Sequence, residues 1–429
     1  MAIEAECVEA AGLLTRYRQV RRRTLELCAP LTAEDMMVQS CPEASPAKWH
    51  MAHTAWFFES FVLTPLAAGY KAFHPDFHWL FNSYYASFAY FPEKRLRASF
   101  SRPGLDEVLA YRKHVDEAME RLLAEGASAE ALLRTELGLN HEEQHQELLL
   151  TDILNAFFTN PLRPAYREMT AADRALLGGS APELRFVEFD GGLKEIGHAG
   201  AGFCYDNELP RHKVWLEPFA LASRLVTCGE YAEFMADGGY RRQELWLSAG
   251  WDTMKAQGWN APLYWTQREN AGANNAWSLF TLRGAFAVED VKHLPVVHIS
   301  FFEADAYARW AGARLATEFE WEAAADGVSL EGNLLDSGKL MPSAAANEHA
   351  GCLQCFGDAW EWTASAYLGY PGYKPLGGAL GEYNGKFMSG QMVLRGGSCV
   401  TPPGHIRASY RNFFAPETRW QFSAIRLAR

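Results

Sequence analysis

The chain has 429 residues, 48% of them hydrophobic and 21% charged, with a formal net charge of -12; at about 100–200 residues per domain this predicts two or three domains with ordinary packed cores. The acidic balance and the absence of any run of five Lys or Arg argue against nonspecific nucleic-acid binding, which needs clustered positive charge. No stretch nears the ~18 apolar residues of a membrane span or shows a signal-peptide core, and eight cysteines are too sparse for a disulfide scaffold, so a cytoplasmic location with reduced thiols is expected.

Residues 1–160 read as helices. Leu13, Leu14, Tyr17, Val20 and Leu25 fall near helical spacing, and a second apolar helix follows Ser45-Pro46 through Trp49, Ala52, Trp56, Phe57 and Phe61. Periodic segments at 104–125 and 128–158 complete a four-helix bundle with one long connection near 70–103, an architecture that commonly holds metals between facing helices. Residues 161–184, with Pro161, Pro164 and Gly178-Gly179, read as a linker. From 185 to 429 the texture changes to Gly, Trp and short apolar runs, such as 186–192 and 213–216, with helices predicted at 228–237 and 300–325. The expected fold class is α+β.

The sharpest local signal is Asn140-His141-Glu142-Glu143-Gln144-His145-Gln146-Glu147. Residues four apart share a helix face, so His141 and His145 can grip one ion. Two histidines on a solvated acidic face are the plain alternative, but the segment sits inside an apolar periodic helix. The string also satisfies the H-E-x-x-H zinc-protease pattern, in which Glu142 would be a general base with a third ligand downstream; no such ligand follows at short range. Upstream, Trp49-His50-Met51-Ala52-His53 offers His50 or His53 as the third ligand. Three neutral imidazoles suit zinc, copper, nickel or iron, and the residues alone do not choose among them.

Many ordered strings resemble the ergothioneine-biosynthesis sulfoxide synthases (EgtB type) over essentially the full chain: WHMAHTAWFFE, LFNSYY, NHEEQHQELLLTD, YDNELPRH, ARWAGARLATEFEWEAAA, GDAWEWTAS, VLRGGSC and GHIRASYRNFF among them. The resemblance implies a DinB-like four-helix bundle carrying the iron ligands, then a formylglycine-generating-enzyme-like (sulfatase-modifying-factor) domain of C-type-lectin topology. It implies Fe(II) on His53, His141 and His145, dioxygen as co-substrate, and bond formation at the imidazole C2 of hercynine (N-alpha-trimethylhistidine). Gln144 would orient that imidazole, and Tyr84 or Tyr85 would deliver a proton or hydrogen atom; the tandem pair resembles the branch that takes cysteine as donor. Asn412, Phe413 and Phe414, with Arg411, would meet the betaine end, where aromatic faces attract a quaternary ammonium. Glu142, Glu143 and Glu147 are candidates for fixing imidazole tautomers.

The sequence departs from the family twice. An arginine-rich turn after the tyrosines is replaced by an aromatic stretch, 86–97, leaving Lys94, Arg95 and Arg97 as candidate donor anchors, and Cys352-Leu-Gln-Cys355 adds a thiol pair with a possible redox role. Both departures favour the related selenoneine synthases (SenA type), whose selenosugar donor has no amino-acid carboxylate to grip; cysteine is the alternative donor. Outside the family, a DinB-like metal-dependent thiol transferase or a noncatalytic lectin-like binding module remains.

Overall fold

The structure, a computed structural model, describes every residue except Met1, 87–89, 171–173, 175, 176, 178, 201, 268–276 and 347–350, and the side chains of 2–10 are likewise left aside. It divides into two compact units, Met1–Leu162 with Gly377–Glu382, and Arg163–Leu376 with Tyr383–Arg429. Among the described residues, no helix is long and apolar enough to cross a membrane.

The first unit is built on four long helices: α1 (Ala2–Cys28), α2 (Ala47–Phe58), α3 (Leu105–Glu125) and α4 (Ala129–Thr159). Helix α2 packs on both α3 and α4, and α1 does the same from its own side. All twelve residues of α2 are buried, as expected of a helix that is apolar all round. Its one lysine, Lys48, satisfies its ammonium by donating to the carbonyls of Phe100 and Pro103, each at 2.8 Å. Helix α4 starts at Ser128, whose side chain accepts from Ala131 N–H. One turn before His141, Gly138 lets α2 come close: a Cβ there would lie 2.6 Å from the Phe58 ring and 3.1 Å from that of Phe57.

One carboxylate ties the four helices. Glu142 on α4 accepts from Arg21 Nη1 (2.8 Å) and Thr24 Oγ1 (2.6 Å) of α1 and from Arg112 Nη2 (3.0 Å) of α3. Arg112 in turn donates to Thr54 Oγ1 and the Met51 carbonyl of α2. Glu142 is therefore neither a general base nor a tautomer-fixing group but the hub of a buried ionic knot. Glu143, the second candidate, pairs with Arg16 at 3.0 Å.

Among the described residues, the second unit holds two four-stranded sheets and two smaller ones. The first sheet has the order β1 (Phe186–Phe189), β4 (Phe219–Ala222), β13 (Leu427–Ala428), β8 (Arg314–Leu315). The second runs β11 (Asn412–Phe414), β10 (Met392–Arg395), β9 (Trp360–Ala366), β12 (Ser423–Ala424). The hairpin β2 (Gly192–Ile196) and β3 (His212–Leu216), and the meander β5 (Trp265–Gln267), β6 (Trp277–Thr281), β7 (Gly284–Ala287), complete the strands. Helices are α5 (Cys228–Ala236), α6 (Ser248–Gln257), α7 (Phe301–Trp310) and α8 (Glu318–Ala325). Helix α5 lies where the sequence reading puts it, and α6 is one it missed. The single helix expected at 300–325 is two. Gly312 takes φ +64°, Leu315 pairs with Leu427 in the first sheet, and Thr317 with Glu320 forms a capping box that restarts the helix as α8.

Two measurements test the bundle. Gly138→Ala should lower stability by about 1–3 kcal/mol through overpacking against Phe57 and Phe58, outweighing the ~1 kcal/mol that Ala favours over Gly in a helix; urea unfolding reads the sign. Burial alone would raise the Glu142 carboxyl, but Arg21, Arg112 and Thr24 bring it down to about 2. Its stabilising contribution is thus complete above pH 4.5 and lost as pH falls towards 2, amounting to about 3 kcal/mol. Glu142→Gln should remove that part of the acid limb and cost about 3–5 kcal/mol at neutral pH by stranding buried guanidinium charge; denaturant titrations between pH 7 and 3 measure both.

Candidate metal centre

His53 faces inward from α2, while His141 and His145 project one turn apart from α4. One ring nitrogen from each falls within 4.8 Å of the others, and the ring centroids lie 4.5–5.0 Å apart. His53 is fully buried and His141 nearly so. Burial first, and then mutual repulsion with neighbouring imidazoles, holds His53 and His145 well below the usual histidine range; burial holds His141 near 3. All three are neutral at physiological pH, the state in which imidazole ligates a metal.

The surroundings also select which nitrogen is offered. His53 Nδ1–H donates to the Phe81 carbonyl at 2.6 Å, leaving Nε2 as a bare lone pair, buried with no hydrogen-bond partner. Such a buried acceptor is costly unless something binds it. His145 Nδ1 lies 2.8 Å from His50 Nδ1, which likewise leaves Nε2 for the cluster. The His53 ring is held flat between Trp49 (4.4 Å, 14°) and Trp56 (5.1 Å, 14°), and His141 lies against Phe57 at 4.6 Å. Three neutral nitrogen donors in an aromatic, dry pocket fit a borderline divalent metal and not a hard, oxygen-seeking one. His50 belongs to the surround: its Nε2 faces Asp152 at 3.1 Å.

The same loop that sets His53 carries the tyrosines. Asn82 clamps Tyr85 through two hydrogen bonds of 3.1 Å, and Tyr85, fully buried, lies 5.7 Å from Trp56 between centroids. Tyr84 stacks on Tyr85 at 4.6 Å, with their hydroxyls 3.5 Å apart. Burial pushes the Tyr84 hydroxyl up to about 12, so it keeps its proton at neutral pH. Gln144 is half-buried beside His145 on α4.

The candidate donor anchors separate clearly. Lys94 is exposed, and Arg95 is exposed and paired with Glu93 at 2.6 Å. Arg97 is buried, its guanidinium 3.4 Å above the Trp49 ring and donating to Ser45 Oγ at 2.8 Å. Residues 87–89 of the aromatic stretch lie outside the described residues. In the second unit, Asn412, Phe413 and Phe414 form β11, with Phe413 stacked on Tyr367 at 4.0 Å. Arg411 is tied into the fold. Its guanidinium is buried and bonded to Glu318 (2.8 and 2.9 Å) and to the carbonyls of Asn207 and Leu368. Cys352 and Cys355 are free thiols; Cys355 Sγ lies 3.2 Å from the Cys352 carbonyl, and Cys352 packs against the apolar cluster of Leu216, Phe219 and Leu221.

Sequence reasoning missed Asp152 and Ser45, and took His50 only as a rival ligand. Asp152 lies seven residues after His145, the same helix face two turns on, so spacing alone could have found it. The Phe81 carbonyl has no side-chain signature.

Comparison with known proteins agrees with this layout. The chain matches the DinB superfamily over residues 16–150 and the sulfatase-modifying factor enzyme 1-like domain over residues 179–351 and 337–429. It is 31% identical to a hercynine oxygenase of Mycobacterium tuberculosis over 97% of this chain and 98% of that one. A hercynine oxygenase of Mycolicibacterium smegmatis is 35% identical over 69% of this chain and 71% of that one. Ergothioneine biosynthesis protein 1 of Schizosaccharomyces pombe is 25% identical over 53% of this chain and 28% of that one. A DinB-type helical unit with a three-histidine cluster, a sulfatase-modifying-factor-like unit and 31% identity over nearly the full length together mean that the chain belongs to the EgtB-type hercynine oxygenase family of oxidoreductases.

Proposed function

We propose that this enzyme binds one Fe(II) at His53, His141 and His145 and uses dioxygen to join a sulfur or selenium atom to C2 of the hercynine imidazole. The observation that carries this reading is the cluster of three neutral imidazoles, His53 and His141 buried and His145 half-buried, with the Nε2 of His53 left bare. Iron bound there would supply the one-electron chemistry that lets dioxygen react with closed-shell substrates. The reaction balances as a four-electron oxidation. The imidazole C2–H and the donor's S–H or Se–H are lost, a carbon–chalcogen bond forms, one oxygen atom ends on the chalcogen, and the other leaves as water.

The chain's own residues divide the remaining work. Tyr84, with its proton firmly held, is suited to donate from Oη and not to act as a base. Tyr85 backs it from a fixed position clamped by Asn82. Gln144 has an amide able to meet an imidazole N–H. Phe413 and Phe414 offer aromatic faces suited to a trimethylammonium group. Free Cys352 and Cys355 suit a reducing, cytoplasmic setting.

For the donor we favour a selenosugar. Of the three basic side chains that replace the family's arginine turn, Arg95 is paired with Glu93 and Arg97 is held on Trp49 and Ser45, so neither is a ready bidentate grip for an amino-acid carboxylate. Cysteine is the second reading, favoured by the tandem Tyr84-Tyr85 and by the identity to hercynine oxygenases over 97% of the chain.

Anaerobically Fe(II)-loaded protein given hercynine, oxygen and one donor at a time should yield an adduct detectable by mass spectrometry. A selenium adduct with little cysteine turnover supports the favoured donor, a sulfoxide from cysteine supports the second, and no adduct from any donor by fully loaded protein would falsify the reaction. Alanine at His53, His141 or His145 should cut metal content from about one per chain to near none by elemental analysis. Tyr84→Phe should lower kcat by about 10²-fold or more while metal content stays at the wild-type level.

A further inference from the structure

His50 and Asp152 have no part in the metal cluster, yet they form a continuous buried line to it. Asp152 Oδ2 accepts from the Ser45 backbone N–H at 2.8 Å and faces His50 Nε2 at 3.1 Å. His50 Nδ1 lies 2.8 Å from His145 Nδ1. His50 is 2% exposed and Asp152 6%, and Asp152 Oδ1 is buried with no hydrogen-bond partner. A carboxylate half-satisfied in a dry interior is costly, so its retention calls for a role.

The proton positions in this line follow from its end. A carboxylate only accepts, so His50 must carry its proton on Nε2, and its Nδ1 is then an acceptor. Two ring nitrogens 2.8 Å apart need one proton between them, and it must sit on His145 Nδ1. We propose that Asp152 and His50 are positioning residues for the proposed metal site: through two imidazoles in series they fix His145 as the Nδ1–H tautomer, present its Nε2 lone pair, and raise its donor strength with the charge of a carboxylate.

This makes the ligands unequal. His53 is set by a neutral carbonyl, that of Phe81, whereas His145 is set by an anion through an intermediary ring. The imidazole in direct contact with His145 can pass on negative charge without presenting a carboxylate to the pocket, so the pocket stays open to an anionic thiolate or selenolate.

The inference rests on the metal site proposed above, and its test is arranged to separate the two. Ring-nitrogen NMR on metal-free protein with labelled histidine should show His145 as Nδ1–H, in wild type and in Asp152→Asn more than in His50→Phe, where a mixture is expected. Co(II) and Fe(II) titrations by chelator competition should show affinity falling about 10–100-fold in His50→Phe. A smaller loss is expected in Asp152→Asn, and partial recovery in His50→Gln, whose amide oxygen can still accept. Circular dichroism confirms folding, and Asp152→Asn carries the test if His50→Phe does not fold. Wild-type His145 as Nε2–H, or wild-type metal affinity in both His50→Phe and Asp152→Asn, would overturn the relay. Wild-type protein that binds neither metal would instead sink the metal site, with the metal-free tautomer measurement still deciding the relay.

Discussion

The centre of the first unit depends on keeping three imidazoles uncharged, two of them enclosed and His145 partly so. Removing histidine from water penalises the charged form, and crowding three within 5 Å adds repulsion to any proton that arrives. The result is a set of lone pairs available at any ordinary pH. Neutrality alone would leave each ring free to choose its tautomer, and for two of the three the structure removes that choice with an acceptor placed behind the ring: a backbone carbonyl for His53 and the His50 ring for His145.

Holding the rings in place is a separate matter, and full charges do it. Arg21, Arg112 and Glu142 lie in the same bundle as the neutral rings, and each arginine is satisfied by more than one helix. His141 and Glu142 are adjacent in sequence but point to opposite duties, one to the cluster and one to the knot. That adjacency explains why the H-E-x-x-H string was ambiguous. A carboxylate beside two helical histidines looks like a base or an orienting group until the two guanidinium partners, 121 and 30 residues away in sequence, are seen.

What the sequence could tell was set by the reach of its signals. Helical spacing placed His141 and His145 on one face, because residues on helices obey a period that can be read directly, whereas only the family resemblance favoured His53 over His50. The bundle's helices were legible for the same reason. Spacing failed where tertiary pairing decides. The 300–325 segment keeps an apolar rhythm throughout, yet Leu315 leaves the helix to pair with Leu427 more than a hundred residues on. Arg411 sits in a stretch that resembles a substrate-contacting one, but Glu318, 93 residues away, claims its guanidinium. Tyr84 and Tyr85 were visible as a pair, whereas their clamp by Asn82 and their common loop with the Phe81 carbonyl depend on a turn that no periodicity announces.

The knot around Glu142 has a consequence for the proposed metal site. The side chains that fasten the four helices, Glu142 with Arg21, Thr24, Arg112 and Thr54, are separate from the three imidazoles, so the shape of the pocket does not rest on the rings themselves. A ready-made nitrogen cage follows the general affinity order of divalent ions, in which copper and zinc outrank iron. Three neutral nitrogens therefore do not by themselves select iron, and loading of the proposed iron site would depend on which ions are at hand when the chain is new.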